Sequence, residues 1–160
     1  MLKIEQNNIY NIDCMIGLKL LSNNSINMTL TDIPYNAVNR NSNGLRNLNK
    51  GNADTLTFNL QNFLEELYRV TNGAICIFCG KEQFSEIYDF FAQKSGTVRP
   101  IIWEKTNPSP MNGQHVYLSG VEFVVWFKKK GYKTFNSHCK NTVFKFPNGK
   151  NKIHETEKNL

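Results

Sequence analysis

The segment Asp32-Ile33-Pro34-Tyr35 places a carboxylate beside a proline and an aromatic ring. Residues 26–31 precede it and are predicted to form a strand, so the carboxylate is expected at a strand end. An acidic hydrogen-bond acceptor next to a flat ring is suited to binding a planar polar group. The same four residues also form an ordinary turn sequence, so only their surroundings can decide between the two interpretations.

Two of the four cysteines, Cys76 and Cys79, have the spacing of zinc ligands, and His138 and Cys139 are candidates to complete a set. The two lie in residues 74–79, which are predicted to form a strand. Residues three apart on a strand point to opposite faces, so they cannot converge on one ion. We therefore predict no metal site and free thiols rather than disulfides.

Strands and helices must alternate to position these residues. Strands are predicted at residues 9–12, 26–31, 74–79, 98–105, 121–128 and 142–146, and helices at 13–21, 60–70 and 82–93. This alternation predicts an α/β fold with a largely parallel sheet, and the last two strands are expected to form an antiparallel edge. Ligands of such sheets bind beyond the carboxyl ends of the strands. Four residues are predicted at strand ends and mark the expected site: Asp13, Asp32, Gly80 and Lys105.

The length of the chain and its apolar runs limit the classes of protein to which it can belong. A chain of 160 residues is long enough for one domain with its own core. The first eight residues lack the hydrophobic stretch of a signal peptide, and no apolar run approaches the roughly 20 residues that cross a bilayer. We therefore expect a cytoplasmic protein.

Positive charge is concentrated in the last part of the sequence. Residues 1–127 hold ten Lys and Arg against eleven Asp and Glu, whereas residues 128–160 hold nine Lys against two Glu. Such a segment is either a solvated lysine-rich tail or a surface that contacts nucleic-acid phosphates. The candidate phosphate-binding residues are Lys128, Lys129, Lys130 and Lys133.

Several segments together resemble one family of enzymes. Asn11-Ile12-Asp13-Cys14 stands about twenty residues ahead of the Asp32 motif, with a Leu-rich helix and Ser25-Ile26 between them. Trp103-Glu104-Lys105-Thr106-Asn107-Pro108, residues 122–128 and residues 154–159 follow in the family's order. The chain is thereby similar to the DNA amino-methyltransferases, which act on adenine N6 or cytosine N4, and to their permuted subgroup, in which the target-base half precedes the cofactor loop.

The resemblance implies a Rossmann-like methyltransferase sheet in one catalytic domain over residues 1–160. The glycine-rich cofactor loop that should follow residues 154–159 does not occur in the sequence, so we expect an incomplete sheet. We expect only the front half of such an enzyme.

The resemblance also assigns roles within the first motif. Asp32 and the carbonyl of Ile33 are expected to accept the two hydrogens of the exocyclic amine, which aims its lone pair at the incoming methyl group. Tyr35 is expected to stack on the base after it is flipped out of the duplex. Ile33 replaces a proline of the family motif, and Pro34 still favours an extended conformation for it. An Asp at the first position favours adenine N6, because cytosine-N4 enzymes usually have Ser there.

S-adenosylmethionine is the implied cofactor. Its expected contacts are Asp13, His154, Thr156 and Lys158, although His154 is equally compatible with an exposed tail histidine. Both prolines of the family's His-Pro-Thr-x-Lys-Pro signature are replaced, by Glu155 and Asn159. We therefore expect this chain alone to bind the cofactor weakly or not at all.

Double-stranded DNA is the implied partner. A polar loop is predicted over residues 36–57 and carries Arg40, Arg46 and Lys50. Loops longer than about 12–15 residues are usually functional or disordered. We interpret this one as a DNA-contacting loop that acts with the basic segment 128–160, the alternative being plain disorder.

Three functional hypotheses follow. The first is a site-specific DNA adenine-N6 methyltransferase. The second is a truncated or split piece that binds DNA, a complementing chain or a second copy of itself without catalysing alone, because an incomplete sheet leaves an edge open. The third is methylation of another planar amide or amine, which Asp32 disfavours because the corresponding motif usually begins with Asn.

Overall fold

The computed structural model describes residues 4–36, 55–110, 114–133 and 140–149. Within these ranges the chain forms three helices and five strands. The helices are α1 (Cys14–Lys19), α2 (Leu60–Val70) and α3 (Phe84–Ala92), and the strands are β1 (Ile26–Asp32), β2 (Thr71–Cys79), β3 (Gly96–Lys105), β4 (Val121–Lys129) and β5 (Val143–Phe146).

The five strands form one sheet in the order β1-β2-β4-β3-β5. Strands β1 and β2 pair in parallel, as do β3 and β5, whereas β4 is antiparallel to both of its neighbours. Four strands therefore run in one direction and β4 runs in the other. This confirms the prediction of an α/β fold with a largely parallel sheet.

The position of the antiparallel strand corrects one detail of that prediction. The last two strands do not form an antiparallel edge, because β4 lies between β2 and β3 while β5 is parallel to β3. Strand β4 is apolar on both faces, with Val124, Val125 and Phe127 buried, and an interior strand can bury both faces. All four residues of β5 are exposed, which suits an edge strand.

The predicted strand at residues 9–12 is also wrong. These residues have no regular secondary structure, and Ile9 is fully exposed. None of the described strands lies beside them, so they gain no ladder of hydrogen bonds. The helix after them is present as α1, and Asp13 caps it, since its carboxylate accepts hydrogen bonds from the backbone amides of Met15 and Ile16.

The hydrophobic core lies on one face of the sheet. Helix α2 begins at its cap Asn59 and buries one apolar side, and α3 buries a shorter one. The ring of Phe91 on α3 stacks on Phe127 of β4 with centroids 4.8 Å apart. Met15 and Leu18 of α1 pack against the same core. All three described helices therefore pack on the same face of the sheet.

The opposite face of the sheet has no helix among the described residues. Met28 and Leu30 of β1 are each 54% exposed there, and their neighbours Cys76 and Trp126 are only half-buried. Sheets of parallel strands normally have both faces covered. The described residues thus form two layers of a fold that ordinarily has three.

No helix in the described part of the chain has the length and hydrophobicity needed to span a membrane.

Candidate active site

The Asp32 motif begins where β1 ends. Strands β1 and β2 are parallel, and Asp32 pairs with Phe78 at their common carboxyl edge. The backbone amide of Ile33 donates to the carbonyl of Phe78 at 3.2 Å, and the Ile33 side chain is buried in the core. Asp32 itself is exposed. The buried isoleucine therefore anchors a segment whose carboxylate faces solvent at the edge where ligands of such sheets bind.

Gln83 fixes the peptide between Pro34 and Tyr35. Its side-chain amide donates to the carbonyl of Pro34 at 2.8 Å, and its carbonyl oxygen accepts from the backbone amide of Gly80 at 2.9 Å. The residue is 8% exposed, so both hydrogen bonds are shielded from water. Gln83 thus ties the turn after β2 to the motif after β1.

The close approach of Tyr35 favours glycine at position 80. A Cβ atom there would lie 3.1 Å from the Cβ of Tyr35 and 3.3 Å from its carbonyl oxygen. This close approach lets the two loops lie against each other. Gly80 was expected at the site because it ends a predicted strand, and the structure places it beside the motif.

Tyr35 lies among charged groups. Its hydroxyl is 3.4 Å from Glu122 Oε2, and Glu122 Oε1 forms an ion pair with Lys105 Nζ at 2.9 Å. Burial raises the pKa of Tyr35 well above its ordinary range, and the carboxylates of Asp32 and Glu122 and a hydrogen bond to Asp32 add to this rise. The phenol therefore stays protonated and serves as a hydrogen-bond donor between the two carboxylates.

Sequence reasoning missed two members of this cluster. Gln83 carries no signal beyond a polar residue at the start of a helix. Glu122 does carry one, because it is an acidic residue in an otherwise apolar strand and charged residues are rarely buried without a partner. Lys105 was predicted at the site because it ends a predicted strand, and in the structure its ion-pair partner is Glu122.

This arrangement is suited to holding a planar amine. Asp32 presents an acceptor to solvent, the backbone after it is clamped by Gln83, and the ring of Tyr35 is held beside it. Preorganised acceptors of this kind favour one orientation of a hydrogen-bonding group.

Of the predicted cofactor contacts, Asp13 lies in the described residues, whereas His154, Thr156 and Lys158 lie outside them. Asp13 is exposed, and its Oδ1 accepts from the amides of Met15 at 2.8 Å and Ile16 at 3.2 Å. This oxygen is occupied in capping α1. Asp13 is therefore the one predicted cofactor contact within the described residues, and its role toward the cofactor stays a prediction.

The predicted phosphate-binding lysines lie at the other end of the sheet. Lys128 pairs with Ala74 near the start of β2, six residues along β4 from Glu122, which corresponds to about 20 Å at roughly 3.3 Å per residue. Lys130 and Lys133 are exposed. The structure does not bring these lysines together with Asp32.

Two of the basic residues make contacts within the chain. Lys128 donates to the carbonyl of Tyr132 at 3.0 Å, and Lys129 donates to Asn24 at 2.9 Å while lying 4.2 Å from the centre of the Tyr68 ring. Burial lowers the pKa of Lys129. The loop residues Arg40, Arg46 and Lys50 lie outside the described residues.

The cysteine pair is arranged as its spacing predicted. Cys79 is buried on the core face of β2 with Ile77, and Cys76 lies on the opposite face. Cys14 is exposed on α1. Among the described residues, no group of three His, Cys, Asp or Glu side chains could hold a metal ion. The candidate ligands His138 and Cys139 lie outside the described residues.

Comparison with known proteins gives the family. The family model for DNA methylases of the N6/N4 type matches residues 26–159. No curated protein sequence matches the chain at a significant level.

Three solved structures are similar to the chain. The M1.HpyAVI–SAM complex is 28% identical, with a TM-score of 0.56 over 79% of this chain and 55% of that one. M1.HpyAVI alone is 23% identical, with a TM-score of 0.55 over 83% of this chain and 60% of that one. PvuII DNA methyltransferase, which is cytosine-N4-specific, is 15% identical, with a TM-score of 0.61 over 89% of this chain and 58% of that one.

The last two likenesses concern the fold and agree with the Rossmann-like methyltransferase sheet implied by the sequence motifs. The chain spans between 55% and 60% of the length of these structures. The family match extends over most of the chain and includes the Asp32 motif, Gly80, Lys105 and Glu122. The chain belongs to the N6/N4 DNA methylase family.

Proposed function

We propose that this chain forms the target-base part of a DNA methyltransferase that modifies the N6 amine of adenine. The observation that carries the proposal is the exposed carboxylate of Asp32 at the carboxyl edge of β1, next to a Pro34 carbonyl clamped by Gln83 and a Tyr35 held by Glu122. A site built to hold one planar amine fits the chemistry of the family.

Adenine is the target that the first residue of the motif favours. The resemblance associates Asp at this position with adenine N6 and Ser with cytosine N4, and Asp32 occupies it here. The order of the segments, with the Asp32 motif ahead of residues 154–159, supports membership of the permuted subgroup.

S-adenosylmethionine, when bound, supplies the methyl group. The chain's own residues orient the acceptor: Asp32 and the Ile33 carbonyl accept hydrogen bonds from the two amine hydrogens, which reduces conjugation of the nitrogen lone pair with the ring and localises it on nitrogen. Transfer of this methyl group would turn the sulfonium of the cofactor into a thioether, and Asp32 would accept the amine proton that is released and pass it from its exposed carboxylate to water. The match of developing positive charge to a fixed carboxylate favours the transition state.

Access to the amine requires the base to leave the duplex, because an exocyclic amine inside a base pair cannot meet both acceptors. Tyr35 offers the ring on which the extruded base stacks. Double-stranded DNA is therefore the proposed partner. Arg40, Arg46, Lys50 and the lysines of residues 128–160 are proposed phosphate contacts.

A second candidate function is that of one half of a two-chain enzyme. The sheet face at Met28 and Leu30, which no helix of the described residues covers, favours it. A complementing polypeptide would cover that face and carry the glycine-rich cofactor loop. Association with a second copy is the other way to bury the same surface.

Nucleoside mass spectrometry tests the main proposal. The purified chain, alone and co-expressed with a polypeptide that carries the glycine-rich loop, is incubated with DNA and S-adenosylmethionine. We expect N6-methyladenine in the DNA, formed by the wild-type chain and not by Asp32→Asn. N4-methylcytosine as the product would overturn the choice of base, and a product that does not depend on Asp32 would overturn the site.

Titration calorimetry and light scattering test the second candidate. We expect the chain alone to bind S-adenosylmethionine weakly or not at all and to associate with itself or with its complement. Low-micromolar or tighter binding by a strictly monomeric chain would contradict the two-chain enzyme.

A further inference from the structure

Lys105 of β3 and Glu122 of β4 form an ion pair on neighbouring strands, and Glu122 lies next to the Tyr35 hydroxyl. The two charged groups are 2.9 Å apart, with side-chain exposures of 16% and 17%. Water and salt screen such a shielded pair far less than a surface pair. The carboxylate uses Oε1 for Lys105, and its Oε2 lies 3.4 Å from the hydroxyl of Tyr35, at the long end of the hydrogen-bond range.

A second ion pair, near the same end of β3 but on the opposite face of the sheet, provides the contrast. Lys145 and Glu104 are 3.0 Å apart on β5 and β3, but their side chains are 65% and 43% exposed. Exposed pairs of this kind contribute little to stability or geometry. The two pairs have the same chemistry and similar lengths, and they differ in burial and in what the carboxylate touches.

We propose that the Lys105–Glu122 ion pair is a positioning device for Tyr35, which holds the phenol so that its ring keeps one orientation at the target-base site. The inference deepens the proposed function and rests on it. Neither Lys105 nor Glu122 touches the reacting atoms. Both act through the Tyr35 hydroxyl.

Burial of the pair argues for this role. Removing two charges from water costs free energy that an ion pair does not fully recover, and apolar residues would often stabilise the same place better. The ion pair fixes the direction of the Glu122 carboxylate, which apolar residues in the same place could not do. Lys105 orients the carboxylate and balances its charge, so that Glu122 can stand near Asp32 as an acceptor for the same hydroxyl.

Three ionisable groups act electrostatically on the Tyr35 phenol, one each from β1, β2 and β4. Asp32 approaches from the end of β1, Cys79 from β2 and Glu122 from β4, while Lys105 of β3 reaches Glu122. Gly80 and Gln83, which adjoin Tyr35 on its other side, are uncharged. Only the two carboxylates titrate in acid, so replacing Asp32 leaves Glu122 as the acidic group that this hydroxyl can sense.

Carbon-13 NMR of the tyrosine ring carbon that bears the hydroxyl tests the contact without requiring catalysis. The full chain has six tyrosines, and Tyr35→Phe identifies the signal of Tyr35. In an Asp32→Asn background we expect the Tyr35 signal to show one step on acid titration. Glu122→Gln should abolish the step, and Lys105→Met should move it upward by at least about one pH unit, because an opposite charge at this distance favours the ionised carboxylate.

Lys145→Met is the matched control, since it breaks the exposed pair on the neighbouring strands. It should leave the step where it is. A Tyr35 signal that is the same in wild type, Glu122→Gln and Lys105→Met would overturn the inference. Circular dichroism verifies folding, and Lys105→Met carries the test if Glu122→Gln does not fold.

Methyl transfer supplies the functional readout. In a preparation that methylates DNA, Glu122→Gln and Lys105→Met should each lower kcat about tenfold, and neither should lower it further when Tyr35 is already Phe. Full additivity with Tyr35→Phe would contradict action through the hydroxyl. Absence of Asp32-dependent methylation would refute the proposed function and leave the NMR result valid, whereas normal methylation with an unchanged Tyr35 signal would refute this inference alone.

Discussion

The two ends of the sheet use charged residues in different ways. At the carboxyl end of β1, the side chains of Asp32, Tyr35, Glu122 and Lys105 come together from the ends of three strands. At the other end, the lysines of β4 follow one another in sequence and contact neutral groups, as Lys128 and Lys129 do. The first cluster is assembled by the sheet, and the second is a property of one segment.

A high density of charged residues along a sequence is therefore a weak guide to where the functional site lies. The basic segment is the most conspicuous electrostatic feature of the sequence, yet part of it serves the chain's own packing. The few charges at the other end stand far apart in the sequence, and strand pairing brings Lys105 within 2.9 Å of Glu122 and Glu122 within 3.4 Å of the Tyr35 hydroxyl. Five variants test this difference between the two ends of the sheet, and they follow in order of decreasing expected effect.

Asp32→Ala should lower methyl transfer at least about 100-fold while leaving the fold intact, because an exposed side chain is lost together with a preorganised acceptor. Radiolabelled methyl incorporation into DNA is the measurement. Asp89→Ala, which removes an exposed carboxylate from α3, is the control. Activity retained in Asp32→Ala would remove the site from this end of the sheet.

Tyr35→Ala should weaken use of target DNA by roughly ten- to a hundredfold, since stacking of a base on an aromatic ring is worth about 1–3 kcal/mol. Steady-state kcat/KM with a DNA substrate measures it. Tyr117 is fully exposed, and Tyr117→Ala should behave as wild type. Equal effects of the two substitutions would mean that the ring of Tyr35 does not meet the base.

Gln83→Ala should lower the free energy of unfolding by about 1–3 kcal/mol, because the buried amide of Gly80 and carbonyl of Pro34 lose their common partner. Urea denaturation gives the change. Gln93→Ala, an exposed substitution at the other end of α3, is the control and should be neutral. In Gln83→Ala the rate of methyl transfer should fall by more than the loss of folded protein at the assay temperature explains. A change in stability alone would make Gln83 a purely structural residue.

Replacing Lys130 and Lys133 together with Gln should flatten the dependence of DNA affinity on salt by about two units, if both exposed lysines release counterions from phosphates. Fluorescence anisotropy at several salt concentrations measures the slope. Lys19→Gln with Lys94→Gln removes the same charge elsewhere and should change the slope less. An unchanged slope would show that the basic end is merely solvated and would leave DNA binding to other residues.

Lys129→Met should lower the free energy of unfolding by no more than about 1 kcal/mol. It removes the cation–π contact with Tyr68 and the hydrogen bond to Asn24, and burial of the ammonium group offsets part of that gain. Thermal or urea unfolding is the measurement, with Lys130→Met as the exposed neighbour for comparison. A loss of several kcal/mol would mean that this end of the sheet depends on Lys129 far more than its contacts indicate.

Much of the architecture follows from local sequence patterns. Alternation of apolar strands with amphipathic helices predicts an α/β fold, and the helix at residues 60–70 and the strands that carry Asp32 and Lys105 lie where periodicity places them. The Asp32 motif is visible because its chemistry is held in four consecutive residues. The cap at Asp13 is equally local, since it depends on the next three residues alone.

The tertiary structure decided everything that depends on which strands become neighbours. The insertion of β4 between β2 and β3 requires long-range pairing, and no short segment encodes it, although the two apolar faces of β4 are consistent with an interior position. That pairing alone brings Glu122 to Tyr35, 87 positions away in the sequence. Gln83 reaches Pro34 for the same reason. A charged or amide side chain acquires its partner only when the sheet has formed, because its hydrogen bonds act over about 3 Å and carry no trace in the spacing of residues.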